Sequence, residues 1–301
     1  MPETVITFVA AQDGALTEVL INSTTATARQ VSGGSAQVTV LCPGKAADIV
    51  VEGAGTQLLS ALRQKISDSS GFDIFIQPKD EFRRKRILVA DMDATMIEGE
   101  TLDELAAHFG LKDKIAPITA MAMRGEIDFA EALRKRVGLL KGLPLSALYE
   151  TLKEVRFSKG GKALVSTMNR TGAKCVLISG GFDIFTSHVA SNLGFYKNIG
   201  NRLGIANEKL TGEVIPPIVD KYTKEKMVEE EARRCQVDTR AVVAIGDGAN
   251  DIPMLQAAGT GIGYFGKPAV QAATPFQIRH TDLTSVLYMQ GYRKDEFAAA
   301  S

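Results

Sequence analysis

Three apolar runs in the chain end in residues that could do chemistry together: Asp91 and Asp93, then Ser179 with Gly180 and Gly181, then Asp247 with Asn250 and Asp251. Asp91 and Asp93 follow Ile87-Leu-Val-Ala90 with i, i+2 spacing. One carboxylate can therefore touch a reacting centre while the other serves a neighbouring atom. A bare Asp-x-Asp is more often an acidic turn than a site, so the other tips must decide. Carboxylates gathered from separate strands need a positive charge between them, or some must protonate. Hard oxygen donors without a His or Cys cluster suit Mg2+, which keeps several waters and couples carboxylates to phosphate. Ser179 and the backbone N–H groups of Gly180 and Gly181, at the start of a helix, form an anion cradle. A lysine ahead of the last acidic cluster would add fixed positive charge. Lys224 is the candidate, with Lys221 and Lys226 as close competitors. Together these describe a phosphoryl site. No Gly-x-x-x-x-Gly-Lys-Ser/Thr loop and no dinucleotide fingerprint follows any strand, so delivery on a nucleotide in the P-loop manner is not expected.

Such residues need a parallel sheet to gather them. Ile87–Ala90, Lys174–Ile178 and Ala241–Ile245 read as strands buried on both faces, and Thr260–Tyr264 as a short fourth. Helices are expected over 160–170, 182–193 and 224–235, with a hairpin over 199–214 and a terminal helix from Asp282. Strands separated by helices imply an α/β core whose ligands lie beyond the C-terminal ends of the strands. Residues 98–157 are helical in pattern and interrupt this core directly after its first strand. Thr101-Leu-Asp-Glu104 resembles a capping box, Asp128-Phe-Ala-Glu131 repeats it, and a third helix begins after Pro144. The block reads as a cap over the site. Residues 1–80 give strand, helix, strand, strand, helix, strand, a ferredoxin-like order. That unit is read as a packing or dimerisation module, which allows a homodimer. The expected division is 1–80, then 81–97 with 158–301 as the core, and 98–157 as the cap.

Composition excludes several classes. Lys plus Arg and Asp plus Glu both number 35, so no net field favours nucleic acid or an anionic membrane. The basic run Arg83–Arg86 is read as a solvated linker. Cys42, Cys175 and Cys235 are too scattered for a disulfide framework or zinc site, which fits a reducing cytoplasm. The N-terminus lacks the order of a signal peptide, and no apolar stretch approaches spanning length. The expectation is a cytoplasmic protein acting on a small molecule. Gly259-x-Gly261-x-Gly263 is read as a structural tight turn, and His108, His188 and His280 as packing or surface residues.

Asp-x-Asp-x-Thr at 91–95, Ser179, a lysine near 224 and Gly-Asp-Gly-x-Asn-Asp at 246–251 resemble the four ordered motifs of the haloacid dehalogenase-like phosphatases. The cap after the first motif resembles their helical-cap subgroup. From about residue 81 onward the chain is similar to the phosphoserine phosphatase family. Met123-x-Gly125 through Phe129 to Leu133-Arg-Lys-Arg136-Val carries that likeness in the cap, and Glu100 falls at the family's substrate-binding glutamate. The resemblance implies Mg2+-dependent hydrolysis of O-phospho-L-serine to L-serine, the last step of serine biosynthesis. Asp91 would be the nucleophile and Asp93 the acid and base. Asp91, the Asp93 carbonyl and Asp247 would hold the metal, with Asp251 and Asn250 orienting groups around it and Thr95 supporting the first motif. Ser179, Gly180, Gly181 and Lys224 would hold phosphoryl oxygens. Arg136 would fork onto the substrate carboxylate, Glu100 would pair with its ammonium, and Met123 and Phe129 would wall the cap. Ala94 departs from the family, which often has Ser or Gly there.

On periodicity alone Arg136 is one of several solvated helix arginines, and Glu100 beside Glu98 is ambiguous; the family match selects them. Two other functions are compatible with these residues. One is a related capped phosphatase or phosphotransferase for another small phosphomonoester. The other is an amino-acid-sensing regulatory protein whose second domain is inactive.

Overall fold

The computed structural model describes residues 2–53, 56–66, 71–124 and 126–298. The chain runs β1 (Glu3–Ala10), α1 (Glu18–Ser32), β2 (Ala36–Cys42), β3 (Ala46–Glu52), α2 (Thr56–Ile66) and β4 (Phe72–Pro78). Next come β5 (Ile87–Ala90) and the helices α3 (Thr101–His108), α4 (Lys112–Met123), α5 (Phe129–Gly138), α6 (Leu145–Glu154) and α7 (Gly161–Arg170). Then follow β6 (Lys174–Phe182), α8 (Asp183–Leu193), the pair β7 (Lys197–Ala206) and β8 (Lys209–Ile215), and α9 (Lys221–Arg234). The chain finishes with β9 (Val242–Gly246), α10 (Ile252–Ala257), β10 (Thr260–Tyr264), α11 (Pro268–Ala273), β11 (Phe276–Ile278) and α12 (Ser285–Met289).

The larger sheet has the order β11-β10-β9-β5-β6-β7-β8. Its pairings are parallel except β7 with β8. Alternate residues explain why its central strands are apolar throughout. Leu88, Ala90, Cys175, Leu177, Val243 and Ile245 face one layer of helices. Ile87, Val89, Val176, Ile178, Val242 and Ala244 face the other. A strand covered on both sides has no solvent face to mark with polar residues. β5 sits mid-sheet between β6 and β9, so its C-terminal tip lies between theirs. That placement assembles the three tips.

The smaller sheet is antiparallel, in the order β2-β3-β1-β4. Ile6, Phe8 and Ala10 face α1 and α2, whereas Val9, Leu41, Ala46 and Phe75 join the apolar core of the larger unit. The joint is also polar. Asp48 pairs with Arg83 at 2.7 Å, and the Gln77 amide donates to the Met289 carbonyl at 2.8 Å. The expected solvated linker is thus partly interior. Lys85 is buried and Arg83 half-buried, and Lys85 Nζ donates to the Arg240 carbonyl at 2.8 Å. Charge density alone suggested solvent, but matched acceptors in the folded chain take these groups in.

Three other expectations change. Thr101 does not cap α3; Glu100 occupies that position and makes no side-chain capping bond. Gly261 and Gly263 lie in β10, in line with the strand expected over Thr260–Tyr264 and not with a tight turn. A Cβ at Gly261 would come within 2.2 Å of the Leu255 carbonyl oxygen, so glycine is needed for α10 to approach. The terminal helix is reduced to α12 and a 3-10 turn at Lys294–Glu296. Among the described residues, no helix is long and apolar enough to cross a membrane.

Helices α3–α6 form one block beside the tip of β5. The strands leading in and out lie side by side: Ile97 bridges Phe157, Glu98 N–H donates to the Arg156 carbonyl, and Ser158 N–H donates to the Met96 carbonyl. The block also leans on the β7–β8 hairpin, where Gly142 N–H donates to Leu210 and Leu210 N–H to Leu143.

Candidate active site

The turn after β5 is a single π-type turn over Met92–Met96 that interrupts regular geometry. Asp93 is extended there, and Ala94 is left-handed at φ 51. An alanine in that region costs about 1–2 kcal/mol relative to a relaxed backbone, so the surrounding bonds must hold it. One of them runs from Ala94 N–H to the Gly99 carbonyl at 2.8 Å. The turn thereby places both aspartates at one cavity.

That cavity, of about 370 Å3, lies between the strand tips and the helical block. Asp91, Asp93, Ser179, Gly180, Gly181, Asp247 and Asn250 line its floor, with Glu100, Phe129 and Arg136 on the cap side. Most of the sequence-derived set therefore meets in one place. Met123 ends α4, but its side chain and Gly125 lie outside the described residues. Thr95 is buried beneath the turn, and its hydroxyl finds no hydrogen-bond partner among the described residues.

Lys224 enters from α9 and is 1% exposed. Its ammonium donates to Asp91 Oδ1 and to Asp251 Oδ1, each at 2.6 Å. The competitors Lys221 and Lys226 are on the exposed side of the same helix. Burial alone would lower the Lys224 pKa, but Asp251 and Asp91 outweigh it and hold the group charged. Asp91 is pushed well above the ordinary carboxylate range, first by burial, then by the charge of Asp251. One ammonium does not neutralise that pair.

Asp93 is held differently. Its Oδ1 accepts from both the backbone N–H and the hydroxyl of Thr101, each at 2.9 Å. Its Oδ2 accepts from the Ser179 hydroxyl at 3.0 Å. Burial raises its pKa, and these bonds oppose the rise. The Gly181 N–H donates to Ser179 Oγ at 2.8 Å, so that donor of the expected cradle is engaged. A Cβ at Gly181 would lie 2.8 Å from Asp93 Oδ2. One at Gly180 would lie 2.9 Å from the Phe129 ring. Both glycines let neighbours close on the floor.

Carboxylate oxygens of Asp91, Asp247 and Asp251 come within 4.8 Å of one another. Around the cavity, Asp91, Asp93, Glu100, Asp247 and Asp251 face Lys224, Lys267 and Arg136. Full ionisation of these five acids against three bases would leave a deficit of two positive charges, the burden that raises Asp91, Asp93 and Glu100 and that a divalent ion with oxygen ligands would offset. The donor set fits Mg2+. It contains Asp251 and not the side chain of Asp93, which is turned toward Thr101 and Ser179.

Lys267 is a site residue that the sequence reading missed. Its ammonium lies 2.9 Å from Asp247 Oδ2 and 3.8 Å from Glu100 Oε1, bridging floor and cap. Gly266-Lys267-Pro268 follows the tip of β10, and the strand-tip logic could have flagged it. Glu100 has its pKa raised to about 7, chiefly by burial and then by Asp93. Burial also lowers the Arg136 pKa, opposed by Asp103 and Glu100.

The chain is similar to known proteins in both sequence and fold. Residues 88–256 match the model of the haloacid dehalogenase-like hydrolase family. The sequence is 43% identical over 203 residues to a phosphoserine phosphatase of Lactococcus lactis, covering 67% of this chain and 94% of that protein. It is 41% identical over 217 residues to a phosphoserine phosphatase of Archaeoglobus fulgidus; this match covers 72% of the chain but spans 63% of that relative's length. A crystal structure of a HAD family hydrolase from Salmonella enterica serovar Typhi superposes with a TM-score of 0.82 at 28% identity, covering 95% of this chain and 98% of that one. A phospho-aspartyl intermediate analogue of phosphoserine phosphatase gives a TM-score of 0.64 at 33% identity, covering 68% and 98%. The chain belongs to the haloacid dehalogenase-like hydrolases, among the phosphoserine phosphatases of that family.

Proposed function

We propose that the chain hydrolyses O-phospho-L-serine to L-serine and phosphate, through an aspartyl-phosphate on Asp91. The observation that carries this reading is the single cavity in which Asp91 and Asp93 face Glu100 and Arg136. A phosphoryl group on the floor would leave the substrate's carboxylate and ammonium facing a guanidinium and a carboxylate on the cap side. The names of the two curated relatives support the same substrate.

In the first step an Asp91 carboxylate oxygen attacks phosphorus and the bond from phosphorus to the seryl oxygen breaks. Asp93 gives its proton to the departing seryl oxygen, which as an alkoxide would be a poor leaving group. In the second step water attacks the aspartyl-phosphate, Asp93 takes its proton, and Asp91 is released. Lys224, Ser179 and the backbone N–H of Gly180 would steady the phosphoryl oxygens, with Gly181 holding the Ser179 hydroxyl through its own N–H. Phosphatases of this family generally use Mg2+. Here Asp91, Asp247 and the Asp93 carbonyl would hold it; Asp251, in the same carboxylate cluster but bound to Lys224, and Asn250 would orient the groups around it. The ion would offset repulsion between the anionic nucleophile and the phosphate dianion. Phe129, with Met123, would close the apolar wall. The same reading makes 98–157 the cap, 81–97 with 158–301 the core, and 1–80 a separate module.

The test is phosphate release by the purified protein from O-phospho-L-serine, O-phosphothreonine and phosphoethanolamine, each with Mg2+ and with a chelator. The expected result is Mg2+-dependent turnover strongest on phosphoserine. A preference for phosphoethanolamine would overturn the role of Arg136, and turnover in chelator would overturn the metal.

A further inference from the structure

Thr101 is the first residue of α3, yet its hydroxyl and N–H both turn away from the helix toward the floor of the cavity. The Asp93 carboxylate, on the other side of the hinge, receives both. Glu100 offers no capping bond, so Asp93 is what satisfies the start of the first cap helix. Its position there is electrostatically favourable, because helix N-termini attract anions. Thr101 is 1% exposed, and water does not compete for these bonds. Next to it, Glu100 lines the cavity from the cap side. The acid of the reaction is therefore fixed by one element of the cap and one of the core, Ser179.

We propose that Thr101 is the positioning residue for proton transfer by Asp93, and that it makes this transfer depend on the placement of the cap. The inference rests on the phosphomonoesterase reading above. A backbone N–H can only donate, so Oδ1 is committed as an acceptor. Oδ2 is then the oxygen that exchanges the proton, because the hydroxyl of Ser179 can rotate to receive as well as donate. When the bond from Asp91 to phosphorus forms and the bond to the leaving oxygen breaks, the Oδ2–H bond breaks and the leaving oxygen gains that hydrogen. Displacement of α3 removes two donors from Oδ1 together and frees the carboxylate to rotate. An open cap then leaves the acid misaligned, and substrate that holds Glu100 in place also holds Thr101.

The experiment compares the wild type with Thr101→Val and Thr101→Ser, using O-phosphoserine and a series of aryl phosphates whose phenols span a range of acidity. General-acid assistance is worth about 10²–10⁴-fold and matters most for basic leaving groups. Thr101→Val is expected to lose about 10–100-fold in kcat on phosphoserine, with the loss shrinking steadily toward the most acidic phenol. KM should change by less than about threefold, since no substrate contact is removed. Thr101→Ser should recover most of the rate, because it restores the hydroxyl. A uniform loss across the aryl series, or no loss, would overturn the proposal. Absence of phosphoserine turnover in the wild type would defeat the substrate reading alone, as the aryl series still reports on Thr101. Circular dichroism melts of both variants separate misfolding from misplacement.

Discussion

Two groups of buried carboxylates in this molecule are similarly inaccessible and are partnered in different ways. Asp48 and Asp73, in the joint between the small sheet and the core, are each 3% exposed; Asp91 and Asp251 are 4% and 0% exposed. In the joint every acid has donors of its own. Asp73 accepts from the N–H groups of Arg279, His280 and Thr281 and from the Thr281 hydroxyl. Asp48 accepts from Arg83 through both oxygens and from the Thr7 hydroxyl. At the strand tips, by contrast, Asp91 and Asp251 divide one lysine, Asp251 gains besides it the Gly248 N–H and the Asn250 amide, and Asp247, itself paired with Lys267, crowds them. Burial explains neither arrangement alone. The joint is a closed account of donors and acceptors, whereas the tips carry a deficit of positive charge, which is the mark of a place built for a ligand.

The sharpest way to break this contrast is Lys224→Met. It removes the sole ammonium shared by Asp91 and Asp251 among the described residues. The expected outcome is a loss of about 10²–10³-fold in kcat, seen in steady-state phosphate release. Arg136→Ala probes the cap side. It should lower kcat/KM for phosphoserine by about 10–100-fold while an aryl phosphate loses much less, measured side by side. Equal losses would remove the carboxylate contact.

Acidity provides a third probe. Burial and Asp93 raise Glu100 to about 7, so it is largely protonated below that pH and ionised above it. Only the ionised form pairs with an ammonium. The ratio of kcat/KM in wild type to Glu100→Gln should therefore rise by about tenfold from pH 6 to pH 8. Taking the ratio cancels ionisation of the substrate phosphate. The smallest effect on catalysis belongs to the joint. Asp73→Ala strips four donors of their acceptor and should cost about 2–4 kcal/mol of stability in urea titration, with kcat unchanged.

The central fold was legible because buried strands and helix caps leave local patterns. Ile87–Ala90 and Val242–Gly246 show as apolar runs with acidic tips, and Asp128 caps α5 by accepting from Glu131 N–H at 2.7 Å. Helix α4 was not singled out, since Pro117 interrupts it and its apolar residues do not form one stripe. The three-residue β11 is too short to carry a period. Arg83 and Lys85 misled because adjacent like charges usually face water, and their acceptors lie far along the chain. Thr101 offered a capping signal, yet its partner is Asp93 across the hinge, a contact that spacing does not encode. Lys267 reaches Asp247 only because β10 lies beside β9.

The most direct measurement is to mix the protein and Mg2+ with phosphoserine labelled in its phosphoryl group, quench in acid within one turnover, and map the peptides. Label on the peptide containing Asp91, and none in Asp91→Asn, is the expected result. Continued turnover by Asp91→Asn, or label carried on another residue, would contradict the account.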